Sequence, residues 1–65
     1  MDLIELIDEA IEREKESVEL YRRGAGMAED PETRTFFEQL AKWEQDHGRI
    51  LRDRRAALKL IKGQP

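Results

Sequence analysis

Cysteine is absent from this 65-residue chain. Its absence excludes disulfides, thiolate zinc sites and iron–sulfur clusters. Long apolar runs are also missing: nothing approaches the ~18 consecutive residues needed to span a bilayer, so no membrane partner is expected. Aromatic residues are only 6% of the chain, which leaves few rings to stack on bases. The net charge is −3, mildly acidic, which argues against nucleic acid as the default partner. Met1 to Ala10 carries acids where a signal peptide has a basic segment. A cytoplasmic, reducing location fits these features. A single domain this short buries a modest core and needs a staple, namely a disulfide, a metal or oligomerisation. With disulfides gone, metal binding and self-association remain.

What is present is charge and helical periodicity. Charged residues make up 42% of the chain, a share that suits disorder unless the apolar residues are patterned, and here they are. From about Leu3 to Ala28, Ile4, Ile7, Ile11, Val18, Tyr21 and Ala25 follow a 3-4 alternation, and Leu3, Leu6, Ala10 and Leu20 widen that face. Gly24 and Gly26 weaken the last turns. Asp30-Pro31-Glu32 reads as a helix start, with a capping carboxylate, a proline where a missing N–H costs nothing, and an acid at the positive end of the dipole. The second helix is expected from 31 to about 61, with Phe37, Leu40, Leu51, Leu58 and Ile61 on one stripe and Phe36, Trp43, Ile50 and Ala57 beside it at sevenfold spacing. Gly63 and Pro65 are expected to end it. The intervening turn, about residues 29–30, is short enough to force an antiparallel hairpin. The expected fold class is therefore all-α: one half-bundle domain, residues 1–65, that dimerises into a four-helix bundle to cover its wide apolar faces.

Polar residues interrupt these stripes. Glu14 falls in the first, and Glu44, His47 and Arg54 fall in the second. A buried carboxylate is costly unless it is partnered, and a metal ion is one such partner. Glu44-x-x-His47 sets an oxygen and an imidazole nitrogen side by side on one helix face. Di-metal carboxylate bundles take one Glu from each of two helices and a Glu-x-x-His from each of the other two. One hairpin here holds one of each, so two hairpins complete the set. Four carboxylates and two Fe²⁺ ions sum to zero charge, whereas without metal the carboxylates repel. Metal should therefore promote assembly.

The run Glu14-Lys15-Glu16-Ser17-Val18-Glu19-Leu20-Tyr21, then Asp30-Pro31-Glu32, then Phe37-Glu38-Gln39-Leu40-Ala41 and Glu44-Gln45-Asp46-His47, resembles the rubrerythrin/ferritin-like superfamily. Full-length members carry the phrase twice; this chain carries it once. That form, with Glu14 and Glu44 thirty residues apart, is most similar to the encapsulated ferritins. The resemblance implies a ferroxidase that oxidises Fe²⁺ to Fe³⁺ at a di-iron site between two chains, for iron storage and detoxification. Glu14, Glu44 and His47 would be its metal ligands, with Glu44 bridging, and Tyr21 would lie in the layer behind them. It further implies dimers arranged in an open ring, acting as cargo inside an encapsulin nanocompartment. Glu16 matches the flanking acids that collect incoming metal, but Arg13 stands where another acid is usual. Ile61-Lys62-Gly63-Gln64-Pro65 shows no shell-targeting tail.

The ligand set suits iron, and would also accept Mn²⁺, Zn²⁺ or Ca²⁺ as substitutes. Two other readings stay open on sequence. One is a rubrerythrin-like peroxidase fed by a separate electron donor, since there is no cysteine for a rubredoxin-type centre. The other is a non-catalytic dimerisation module in which Glu14, Glu44, His47 and Arg54 form a polar network. A basic run of Arg49, Arg52, Arg54, Arg55 and Lys59 is a weak nucleic-acid signal, since Asp46 and Asp53 interrupt it and no stacking aromatics accompany it; it reads as a solvated face or as inter-dimer salt bridges.

Overall fold

A computed structural model of the chain describes residues 2–62. Two helices account for nearly all of it: α1 spans Leu3–Met27 and α2 spans Pro31–Lys62. Gly63 and Pro65, expected to end α2, lie outside the described residues. Both helices start on an aspartate. Asp30 accepts a hydrogen bond from the Thr33 amide at 2.8 Å, as its place before Pro31 implied. Asp2 does the same for Glu5 N–H at 2.8 Å, a cap the periodicity alone did not mark.

The helices pack antiparallel into a slab measuring 56 × 17 × 10 Å. A thickness of 10 Å is that of a single helix. Each helix can therefore touch only its neighbour in the hairpin, and both broad faces stay open. Burial is correspondingly thin: among the described residues only Ile11, Val18 and Ala41 are buried apolar side chains.

Two glycines of α1 behave in opposite ways. A β-carbon on Gly24 would lie 2.7 Å from the Phe37 ring, so the missing side chain is what lets α2 approach. A β-carbon on Gly26 meets nothing within 4 Å. Gly24→Ala is expected to destabilise the chain by about 1–3 kcal/mol through overpacking. Gly26→Ala should stabilise it by roughly 0.5–1 kcal/mol through helix propensity. Urea midpoints of the two variants check the sign of each.

The inward stripe of α2 differs from the expected one. Phe37, Leu40, Ala41, Glu44, Gly48, Leu51, Arg55, Ala57 and Leu58 are among the α2 residues that are at least partly shielded, whereas His47, Arg54 and Ile61 are exposed. Small Ala41 and Gly48 bring the backbones close, and Arg55 earns its inward place by an ion pair. Its guanidinium clasps the Asp8 carboxylate through Nε and through Nη2, the latter at 3.3 Å. That clasp holds Asp8 below the usual carboxylate range and raises Arg55. A second pair, Lys62 to Asp2 at 3.3 Å, ties the open ends together. Arg55, first read as part of a basic surface run, is thus a strut between helices.

The exposed apolar residues form a pattern of their own. On α1 they are Leu3, Leu6, Leu20 and Met27; on α2 they are Phe36, Trp43, Ile50 and Ile61. Each set sits one residue before the inward stripe of its helix. Because the helices run in opposite directions, that shared offset turns both sets to the same side of the slab. Of the nine large apolar side chains that are exposed among the described residues, only Leu60 lies off this face.

Candidate metal centre

Glu14 lies near the middle of α1, and Glu44 and His47 lie near the middle of α2. The hairpin turn sets their levels: pairing Gly24 with Phe37 at one end and Asp8 with Arg55 at the other brings Glu14 opposite the Glu44–His47 turn. One ligand atom from each of the three lies within 4.8 Å of the others. His47 Nδ1 is 3.9 Å from Glu14 Oε1 and 3.9 Å from Glu44 Oε1. Two atoms that each sit about 2.0–2.2 Å from one ion can be at most about 4.4 Å apart, so small carboxylate rotations suffice to share a metal.

The three residues are not equivalent. Glu14 and Glu44 side chains are only 21% and 23% exposed, on the inward stripes. His47 is 58% exposed and stands on the apolar face, one turn from Trp43. The group therefore opens toward that face. Its spacing from Glu44 predicts His47 in the hairpin core; the structure places it at the rim, because Gly48 takes the inward position beside it.

Glu14 carries the signs of an incomplete site. Its Oε2 is buried and has no hydrogen-bond partner. The neighbouring Glu44 carboxyl, with which it would share a proton, pushes the Glu14 pKa upward. Burial and the Glu44 charge push the same way, and His47 opposes them. An orphaned buried carboxylate oxygen, two carboxylates and one imidazole form a donor set that a divalent cation satisfies.

A pH dependence follows. A raised carboxyl pKa means that the folded chain holds the proton more tightly than the unfolded chain. Glu14 then contributes stability below its ordinary value of 4.5, and that contribution is lost as pH rises through the higher folded value. Asp8 is the reverse: its contribution is present above 3.8 and is lost as pH falls through its lowered folded value. Metal-free protein is expected to lose stability above about pH 4.5 through Glu14, and Glu14→Gln should flatten that decline. Urea midpoints from about pH 4 to 8 for both proteins test this.

Tyr21 and Glu16 are not brought to the group. Tyr21 is two turns further along α1 and lines an apolar groove with Leu20, Met27 and Phe37. No hydrogen bond joins it to the ligand group among the described residues. Glu16 is exposed on α1.

An antiparallel helical hairpin with a Glu–Glu–His group at mid-height holds three residues that could ligate a metal ion. A family model described as Rubrerythrin matches residues 1–54. The chain belongs to the rubrerythrin family, whose members are typically di-iron proteins. No curated protein and no solved structure matches it significantly. None of the described helices is long and apolar enough to cross a membrane.

Proposed function

We propose that two copies of the chain close face to face into a four-helix bundle and share one di-iron ferroxidase centre built from both sets of Glu14, Glu44 and His47. One observation carries this reading. Among the described residues, eight of the nine exposed large apolar side chains lie on the face toward which the ligand group opens. The surface that most needs covering is thus the surface that a second set of ligands would have to approach.

In this reading Fe²⁺ is the substrate. Glu14 and Glu44 supply hard oxygen donors, and neutral His47 supplies nitrogen. Two ferrous ions give up one electron each, and dioxygen takes two electrons and two protons to leave as hydrogen peroxide. The carboxylates matter most after electron loss, because their negative charge stabilises the ferric ions more than the ferrous ones. The apolar walls, Trp43 and Leu40 among them, keep bulk water from competing for the open positions. The ring of dimers and storage of the ferric product inside an encapsulin shell rest on family resemblance alone.

The rubrerythrin match favours a second reading, reduction of peroxide at the same centre. With no cysteine in the chain, its electrons would come from a separate protein. Rapid peroxide turnover supported by an added reductant, exceeding the rate of iron oxidation, would select it.

Assembly separates both readings from a plain dimerisation module. Anaerobic Fe²⁺ should shift the protein toward the dimer in light-scattering chromatography, since metal cancels the charge of four converging carboxylates. Identical monomeric profiles with and without Fe²⁺ would refute the shared centre.

A further inference from the structure

The hairpin has a second broad face, and it is polar where the first is apolar. Lys15, Glu19, Gln45 and Arg49 each follow an inward residue by one position, so they stand on the side opposite Trp43 and His47. Between them lies a groove of about 610 Å³ whose floor is Glu14, Val18, Glu44 and Gly48. His47 does not line it. Glu14 and Glu44 are therefore shared by two surfaces: the apolar face, toward which the ligand group opens, and this groove behind them.

Gly48 sets the depth of the floor. It is buried, and it stands beside His47 at the level of Glu14. The three atoms nearest to a β-carbon on it would all belong to the Arg52 guanidinium, the closest at 3.3 Å. A side chain at this position would therefore point into the groove that Arg52 lines. The guanidinium sits at the end of a flexible stem and can swing outward to make room for it.

Dimer closure gives the groove its use. Covering the apolar face shuts the opening beside His47, and a polar molecule crossing that interface would lose its hydrogen bonds. The groove stays on the outside and reaches the same two carboxylates. A water molecule takes up about 30 Å³, so the groove has ample room for a molecule of that size. Its rim selects against cations. Lys15 is paired with Glu12 and Arg49 with Asp46, which leaves Arg22 and Arg52 against the single rim carboxylate of Glu19. A rim of net positive charge repels Fe²⁺ and admits neutral or anionic molecules. We infer that the groove is the passage for hydrogen peroxide at the closed centre, with Gly48 as the residue that keeps it open. Peroxide leaves by it as the product of iron oxidation, or enters by it as the substrate in the peroxidase reading. The inference rests on the proposed dimer and on the proposed ligand roles of Glu14 and Glu44.

The test uses Co²⁺ as a metal with visible ligand-field bands and azide as a small polar probe of its open position, at fixed ionic strength. Stopped-flow absorbance gives the azide association and dissociation rates in the Co²⁺-loaded dimer. Gly48→Leu should slow both rates by about tenfold or more. Co²⁺ stoichiometry and the equilibrium azide affinity should stay at the wild-type values, because a passage changes rates and not end states. Gly48→Ala should slow both rates by a smaller factor, and it carries the test if a melting curve shows that Gly48→Leu does not fold. Unchanged rates in the folded variants overturn the inference and put the passage in the apolar interface. A changed equilibrium affinity for azide overturns it too, since position 48 would then be acting on the metal itself. If Co²⁺ binding survives Glu44→Ala unchanged, or no dimer forms with Co²⁺, it is the shared-centre reading that has failed.

Discussion

Trp43→Asp is expected to leave the protein monomeric at concentrations where the wild type is dimeric, and to remove tight metal binding with it. Trp43 is 53% exposed in the hairpin and sits one turn from His47 on the apolar face. Burying a large apolar side chain contributes roughly 1.5–3 kcal/mol, and the face offers eight such side chains per copy. Against that gross gain stands an association cost on the order of 4–15 kcal/mol. The margin is therefore narrow enough for one residue to reverse. A two-fold dimer suffers the change twice, losing two indole rings and acquiring two interfacial charges. The dimer constant should weaken by about 4 kcal/mol or more, roughly a thousandfold. Sedimentation equilibrium measures it. A variant that stays dimeric would place the interface elsewhere. Lys59→Asp, off the apolar face, should change neither property.

Glu44→Ala and His47→Ala are expected to weaken metal binding by at least about 100-fold each, since losing a residue behind the ligands already costs about 10–100-fold. Their effects on assembly should differ. Glu44→Ala removes a carboxylate that repels Glu14, so the metal-free dimer should become tighter while metal no longer adds to it. His47→Ala leaves both carboxylates in place, so the metal-free dimer should remain weak. Calorimetric metal titrations and metal-free dimer constants together test the pair. If both variants bind metal as the wild type does, Glu44 and His47 are not its ligands.

The hairpin and its turn were legible because Asp30-Pro31 breaks one clean helical period and starts another. Glu14, Glu44 and His47 were legible as a group because polar residues on apolar stripes need partners. The rotation of α2 was not. Leu40, His47 and Arg54 each stand one position before the inward line Ala41–Gly48–Arg55, on the same side as Phe36, Trp43 and Ile50, so a stripe drawn through them turns the helix toward its apolar face. Ala41 and Gly48, which mark the true inward line, carry little hydropathy signal. The matched charges Asp8 with Arg55 and Asp2 with Lys62 would have fixed it, since both pairs lie at corresponding levels of an antiparallel hairpin. The corrected rotation explains Arg54, which belongs to the exposed face and not to the hairpin core.

The proposed metal pair, shared between two chains, is addressed most directly by one titration. Fe²⁺ is added anaerobically to purified protein, bound iron is counted, and oxygen is then admitted while ferric absorbance is followed. The expected result is about one iron per chain, saturating in the dimer fraction only, followed by oxidation much faster than that of Fe²⁺ in buffer. No iron bound above background, or iron bound equally well by monomer and dimer, would contradict it.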